Sequence, residues 1–451
     1  MSAQATVPQV HSGSLSWGVH PDDRKQLSAD APIEVLPTPA QVRVPLLQHL
    51  GAPNEAVVKP RTAVAWGDVL GRSDAFVSAP VHAPIAGKTA RVGAVTLPNG
   101  RRVAAVPIKA EGEQVEGRAL FDAIYGGPWP HHEIPDDPRA IVAAVREAGI
   151  VGLGGAAFPT HVKLSVREDR PIHTLILNGA ECEPYLTADY RLMLEAPEPI
   201  VAGALAAARA VGAQQIAIAI EDNKPAAIGE MKRAVAGTPI RVVELKTRYP
   251  MGGERQLIYA VTGLVVPTGG LPLDVGVVVM NVGTAAAVAR AVLRGKPLTH
   301  RIVSVTGEGI ATPKNLLVPI GVSYAELVAC CGGLTPDATR AVAGGPMMGF
   351  TLGSLDIPVT KGTSGLTVLT DSTIKKAPET NCVRCGRCVD VCPIRLVPTR
   401  IALAARHKAW DIARAYHITA CIECGCCAYT CPANIPLTQL IRMGKAELPR
   451  S

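Results

Sequence analysis

Eight cysteines near the C-terminus stand at a spacing that does chemistry. They read Cys382-Val-Arg-Cys385-Gly-Arg-Cys388-Val-Asp-Val-Cys392-Pro393, then Cys421-Ile-Glu-Cys424-Gly-Cys426-Cys427-Ala-Tyr-Thr-Cys431-Pro432. Both runs follow C-x₂-C-x₂-C-x₃-C-P, and each cysteine of the first recurs 39 residues later in the second. A fixed offset of this kind marks an internal repeat with pseudo-twofold character. Three thiolates with two residues between neighbours let one loop wrap three corners of a cubic iron–sulfur cluster. The fourth thiolate must come from elsewhere.

In two-cluster ferredoxins the fourth ligand comes from the other repeat. That logic assigns Cys382, Cys385, Cys388 and Cys431 to one [4Fe–4S] cluster. It assigns Cys421, Cys424, Cys427 and Cys392 to the other. Cys426 is left over and reads as a packing thiol. Zinc favours isolated C-x₂-C pairs around a tetrahedral centre, which a doubled four-cysteine run does not resemble. The remaining cysteines are Cys182, Cys330 and Cys331. With eight of twelve in cluster runs, the pattern is that of a reducing compartment and not of a disulfide scaffold.

The rest of the chain must hold these two loops in place. A chain of 451 residues, 48% hydrophobic, has room for about three domains. Met1 to His20 has neither a basic n-region nor an apolar h-region, so no signal peptide is expected. The most apolar stretches, 201–220 and 275–293, are interrupted by Arg209 and Gln214-Gln215, and by Asn281 and Arg290. Neither reads as a transmembrane helix. The net charge of +7 is concentrated in the tail, where residues 381–451 hold ten Lys/Arg against four Asp/Glu. Eight thiolates and two oxidised cluster cores together bring about −4, which leaves that tail mildly basic and argues against nucleic acid as a partner.

Residues 30–110 carry short β-like runs at Gln41–Pro45, 56–58 and 103–108, with turn signals around Trp66–Gly71 and Ser78–Gly87. The segment resembles the barrel-sandwich fold of biotinyl and lipoyl domains. Lys88 lacks the surroundings of a modification lysine, so a structural role is expected. His20 and His82 read as loop residues and Cys330 and Cys331 as core. His131-His132, in the Pro-rich linker, is expected to bind nothing. Asp137 should cap a helix with Pro138 at its first position. Ile141, Val142, Val145 and Ala148 lie on one face of that helix, and Gly149 ends it.

Gly152-Leu-Gly154-Gly155 follows, with Lys163 behind it. Glycines let a backbone approach an anion and turn N–H groups toward it. The loop is neither a Walker A nor a G-x-G-x-x-G turn, and alone it reads equally as a phosphate cradle or an ordinary tight loop. The strand Thr174–Leu177 then delivers Asn178, Glu181 and Glu183 to its C-terminal end, where open α/β sheets bind ligands. Helices at about 199–212 and 224–235 alternate with strands at 215–220 and 240–245, the rhythm of a mostly parallel sheet.

The glycine loop, Asn178-x-x-Glu181-x-Glu183-Pro184, the helix start Gly253-Glu254-Arg-Gln-Leu257-Ile258 and Asn281-Val-Gly-Thr284 occur in that order. Together they resemble the flavin-bearing, NADH-oxidising subunit of respiratory complex I. They resemble more closely the RnfC family of the Rnf electron-transport complex, over essentially the whole chain. The resemblance implies that Gly152, Gly154, Gly155 and Lys163 cradle the FMN phosphate. It implies that Asn178, Glu181 and Glu183 face the isoalloxazine or the dinucleotide, and that Asn281 and Thr284 complete the pocket. Ala180 and Tyr185 depart from the complex I pattern, which has Asp and Gly there. Tyr185 reads equally as a nicotinamide-stacking or a buried structural residue.

The fold class expected is α/β multidomain. A barrel-sandwich occupies 1–125, a linker 126–137 and a Rossmann-like FMN/NAD domain 138–298. A β-grasp SLBB module spans 299–345, a connecting segment 346–375, and a helical two-cluster ferredoxin-like domain 376–451. In the tail, a helix at 398–407 should turn Ile401, Leu403 and Ala404 inward, with 436–445 as its repeat mate. The function this resemblance implies is a peripheral subunit on the cytoplasmic face of the bacterial inner membrane. It would exchange hydride between NAD(H) and FMN and pass single electrons through two [4Fe–4S] clusters. The implied partners are the other membrane and peripheral subunits of the complex, with ferredoxin or flavodoxin engaged indirectly. The alternatives are the cobalamin reductase of bacterial microcompartments, which shares these modules, and an electron-relay scaffold with an inactive flavin site.

Overall fold

The computed structural model describes residues 10, 13–167, 169–374 and 376–449. Most of the stretch 1–12, where no signal peptide is expected, lies outside the described residues. Among the described residues, no helix is long and apolar enough to cross a membrane.

The centre is a parallel sheet in the order Ile240–Leu245, Gln215–Glu221, Thr174–Asn178, Val277–Asn281. Its strands are near-continuous apolar runs, as expected where both faces are covered. On one face Leu175 and Leu177 pack into the core with helices Pro197–Val211 and Val282–Arg294. On the other, Ile176, Ala217 and Val279 meet Leu257, Ile258 and Val261 of helix Glu254–Thr262. The two helices of the first face approach so closely that a Cβ on Gly203 would overlap the Ala285 carbonyl oxygen. Gly203→Ala is therefore expected to destabilise the chain by about 1–3 kcal/mol, as overpacking does, read as a lower Tm. An unchanged Tm would mean that the pair parts without cost.

Helix Pro138–Glu147 starts as its sequence predicts. Asp137 accepts a bond from the Arg139 N–H at 2.9 Å with Pro138 at the first position, and Gly149 follows with φ 63°. The Pro-rich linker packs onto the helix pair through Trp129, whose ring lies 3.5 Å below the Arg294 guanidinium. His132 is exposed in a short turn beside it.

The N-terminal unit is a barrel of short strands. Gln41–Pro45 pairs with Arg102–Ala110, which also pairs with Gly87–Thr89 and Gly93–Thr96. A second small sheet joins Glu55–Ala56, Val69–Arg72 and Val81–His82. His82 differs from its expected loop position: it is a strand residue, 5% exposed, and burial pushes its pKa down to about 3.

The third sheet runs Ile33–Val35, Lys314–Pro319, His300–Thr306, Gly365–Thr370, Ala338–Ala343, Phe350–Thr351. Helix Tyr324–Cys330 carries a capping box between Ser323 and Glu326. Three strands of this sheet come from outside 299–345, the short edge strand Phe350–Thr351 among them. Ile33–Val35 pairs in parallel with 315–317, and Gly365–Thr370 pairs with both His300–Thr306 and Ala338–Ala343. The segment 346–375, expected to be a connection, thus supplies an interior strand. Its parallel partner lies some sixty residues earlier, a pairing that no local pattern reveals. Cys331 is fully buried beneath this sheet and Cys330 partly so.

The cysteine-rich tail repeats its structure as it repeats its sequence. Helices Arg387–Asp390 and Pro398–Arg406 recur as Cys426–Tyr429 and Leu437–Glu447. Positive φ recurs at the same offset, at Arg384 and Glu423, Gly386 and Gly425, Arg395 and Asn434. The two longer helices touch where Gly444 meets Ala405. Ile401 and Ala404 face inward as expected. Leu403 is only half-buried, and Ala402 and Ala405 take the interior positions that let the helices close up.

Candidate functional site

The parallel sheet changes direction between Thr174–Asn178 and Val277–Asn281: the strands after the first run to one side, and the fourth returns to its other side. Ligands of open α/β sheets bind in the crevice outside the carboxyl ends at such a switch point. Asn178 and Asn281 are paired residues at those two ends. Asn178 is held by its neighbours: its Nδ2 donates to the Gly252 carbonyl at 2.9 Å and its Oδ1 accepts from the Ala180 N–H at 3.1 Å. Asn281 caps helix Val282–Arg294, with Oδ1 accepting from the N–H groups of Gly283 and Thr284 at 2.9 and 3.2 Å.

The glycine loop lies over this crevice. Thr284 Oγ1 accepts a bond from the Leu153 N–H at 2.9 Å, and a Cβ on Gly154 would come within 3.2 Å of the Asn281 Cβ. Gly155 has φ 128° and open space around the Cβ position. Residues 154–156 are exposed while Leu153 and Ala157 on either side are buried, so the loop is anchored at its ends and open at its tip. Arg301, buried, holds the loop from below through the Leu153 carbonyl at 3.2 Å and is itself fixed by the Thr363 carbonyl at 3.1 Å. Backbone N–H groups at an open tip above the strand ends, with room left by missing side chains, form a donor set that fits a phosphorylated flavin.

The sequence-predicted residues do not all converge. Gly154, Asn178, Asn281 and Thr284 do. Glu181 stands one step back, accepting the N–H bonds of Asp189 and Tyr190 at 2.7 and 3.1 Å and so capping helix Ala188–Glu195. Gly152 forms the hinge of the loop, bonded to the Phe158 carbonyl at 2.8 Å. Lys163 sits at the outer edge of the sheet, donating to Glu254 at 2.8 Å and to the Val279 carbonyl at 2.9 Å. Glu183 turns toward the loop 344–349, accepting the N–H bonds of Met347 and Met348 at 3.2 and 2.8 Å. Burial pushes its pKa up to about 7, and those two N–H groups oppose the shift. Tyr185 is buried with its hydroxyl bonded to Glu308 at 3.0 Å.

Three residues of this region lie outside the sequence motifs. Asp189 accepts from Asn281 Nδ2 at 2.6 Å, and burial together with the neighbouring Glu181 charge raises its pKa. Arg301, by sequence only a strand residue, supports the loop. Tyr249 links the sheet to the cysteine domain, its hydroxyl donating to the Cys424 carbonyl at 2.6 Å. A carboxylate two residues after Thr187 is a local helix-start signal that could have found Asp189. The partners of Arg301 and Tyr249 are distant in sequence and leave none.

In the tail, Cys392, Cys421, Cys424, Cys426 and Cys427 line one cavity, whose other walls include Pro393, Ile401 and Ile441. The cavity brings the first-repeat thiol of Cys392 among the thiols of the second repeat, a donor set that fits a [4Fe–4S] cluster with one cysteine to spare. The Cys392 and Cys421 sulfurs accept N–H bonds from Leu396 at 3.3 Å and Glu423 at 3.4 Å, and the Cys382 sulfur accepts one from Arg384 at 3.4 Å. Cys426 is fully buried beside Cys424, Tyr249 and Val19. The cysteine domain packs against the rest of the fold through both repeats. Besides Tyr249, the Gln256 amide reaches the Pro393 carbonyl, and a Cβ on Gly425 would come within 2.7 Å of the Met347 carbonyl oxygen.

Comparison with known proteins agrees with this geometry. Residues 145–290 match the family model of the Nuo51 FMN-binding domain and 14–113 that of the RnfC barrel sandwich hybrid domain. Residues 302–351 match the SLBB domain and 379–435 a 4Fe-4S dicluster domain. The C subunit of the proton-translocating ferredoxin:NAD(+) oxidoreductase complex of Clostridium ljungdahlii is 43% identical over 89% of this chain and 86% of its own length. The Na(+)-translocating counterpart of Acetobacterium woodii is 43% identical over 89% of both chains. The C subunit of the ion-translocating oxidoreductase complex of Rhodobacter capsulatus is 43% identical over 97% of this chain and 84% of its own. A chain of the NAD+-reducing [NiFe]-hydrogenase in its H2-reduced state shares the fold with a TM-score of 0.51, at 21% identity, over 74% of this chain and 64% of that one. With an FMN-binding domain at the sheet's switch point and a two-cluster domain packed against it, this chain belongs to the RnfC family of ion-translocating ferredoxin:NAD(+) oxidoreductase complexes.

Proposed function

We propose that the chain is the NAD-reacting subunit of such a complex, held peripherally at the cytoplasmic face of the membrane by the other subunits, with ferredoxin engaged elsewhere in the assembly. The observation that carries this reading is the meeting of Asn178, Asn281 and Gly154 at one crevice, with the Cys421–Cys427 loop bonded to the same domain through Tyr249. When bound, FMN supplies the exchange between a two-electron hydride and single electrons that clusters accept.

The chain's own residues do the rest. The backbone of Gly154 and Gly155 takes the phosphate. Asn178 and Asn281, fixed by Gly252 and Asp189, orient the ligand in the crevice. The proposed cluster ligands are Cys382, Cys385, Cys388 and Cys431 for one site, and Cys421, Cys424, Cys427 and Cys392 for the other. This reading is favoured over cobalamin reductase by the domain order, with the barrel sandwich ahead of the FMN domain.

The test is to mix anaerobic holoprotein with NADH and follow flavin bleaching and the paramagnetic signals of the reduced clusters. Bleaching followed by the appearance of cluster signals is expected. FMN that is bound but never bleached, even in the assembled complex, would make this chain a relay only.

A further inference from the structure

The two cysteine repeats fold alike but are covered unlike. In the second, Cys424, Gly425, Cys426 and Cys427 are all buried, under Tyr249 and the loop 344–349. In the first, Val383, Arg384, Cys385, Gly386, Arg387 and Val389 are all exposed, Val383 at 65%. Nothing in the fold of the loop itself accounts for the difference, because its φ values recur in both copies.

The side chains differ where the covering differs. Position 423 is Glu, held by Arg442 at 3.1 Å and by Lys445. Its counterpart 384 is Arg, and 387 is Arg where 426 is a buried Cys. Among the described residues, neither Arg384 nor Arg387 forms an ion pair. Two unpaired guanidinium groups and two exposed valines thus ring an exposed cluster ligand, Cys385. Asp390 at the margin is the one carboxylate in this loop.

We propose that the loop 383–390 is the docking surface for another redox subunit of the complex, one whose near-surface centre is rimmed by carboxylates. The cluster of the second repeat then exchanges electrons with the flavin, and the cluster of the first repeat exchanges them with the partner. In the outward direction one electron leaves the Cys382, Cys385, Cys388 and Cys431 cluster, which is oxidised by one, and the partner's centre is reduced by one. No bond or proton moves. The inference rests on the ligand sets proposed above. A lipid surface would also attract arginines, but it offers no acceptor for an electron arriving beneath Cys385. Complementary charge steers such encounters and weakens with ionic strength.

The experiment uses the holo chain with both clusters and FMN, added back to membranes that carry the remaining subunits. The clusters are loaded by deazaflavin photoreduction, so the result does not depend on NADH. Arg384→Glu with Arg387→Glu is expected to slow cluster reoxidation by these membranes about 10-fold or more at low salt. Sedimentation with the membranes should weaken in parallel, and the difference should shrink at high salt. NADH bleaching of the isolated chain and its cluster spectra should stay as in the parent. Arg384→Gln with Arg387→Gln should fall between, and covers the case in which charge reversal impairs assembly. Arg340→Glu, an exposed strand position elsewhere, should have no effect. Unchanged reoxidation in the double variants, or an equal loss with Arg340→Glu, would overturn the proposal. So would binding to protein-free anionic vesicles with the same dependence on Arg384 and Arg387, or self-association of the chain through this loop. Loss of NADH bleaching in the parent would instead count against the proposed function and leave this measurement intact.

Discussion

Cys392→Ala is expected to remove the cluster of the repeat that does not contain it. Iron should fall from about eight to about four per chain, because each [4Fe–4S] site needs its four thiolates. Cys392 lines the same cavity as Cys421, Cys424 and Cys427, and its sulfur is oriented there by the Leu396 N–H. The paramagnetic signal that disappears should therefore be the one that is also lost in Cys424→Ala. The signal lost in Cys385→Ala should persist. If Cys392→Ala instead copies Cys385→Ala, the exchange of ligands between repeats is wrong. Cys426→Ser should leave both signals and the iron content unchanged, since Cys426 lies outside the C-x₂-C-x₂-C spacing and packs with Tyr249 and Val19. The loss should reach further than iron. Tyr249 bonds the flavin domain to Cys424, so with that site empty NADH should still bleach the flavin while the surviving cluster is reduced far more slowly.

Gly154→Val should abolish FMN retention, with affinity falling on the order of 100-fold or more, which is about 2.7 kcal/mol. Even a Cβ at this position would stand 3.2 Å from the Asn281 Cβ, and a branched side chain must either enter the crevice or push the loop off Thr284. The consequence is local, because the tip of the loop is exposed. Iron content and Tm of the flavin-free variant should match those of flavin-depleted parent. Lys163→Ala should do much less, under about 10-fold, because Lys163 is engaged by Glu254 and the Val279 carbonyl at the sheet edge. Titration of FMN into flavin-depleted protein reads both. A parent-like affinity for Gly154→Val would remove the glycine loop from the phosphate site.

Features that depend on local spacing are legible in the amino-acid order. The C-x₂-C-x₂-C-x₃-C runs and their constant offset specify two loops of one conformation, and the repeated φ values at Arg384 and Glu423 follow from that. Asp137-Pro138 specifies a capped helix, and the alternation of apolar runs specifies a parallel sheet. Order alone also places Asn178 at a strand end, whereas the strand that ends at Asn281 appears only in the structure.

What each polar group bonds to depends on segments that meet only in the folded chain. Lys163 and Glu183 look like ligand contacts because they follow a glycine loop and a strand end. Their partners, Glu254 and the Met347–Met348 backbone, come from segments ninety and more residues away. Asp189 and Arg301 become part of the site only when folding brings them under Asn281 and Leu153. The interior strand Gly365–Thr370 is hidden for the same reason, since parallel pairing leaves its partner unspecified by any nearby turn. The unequal covering of two equal cysteine loops is likewise a property of what packs beside them, and local chemistry encodes the loop but not its neighbour.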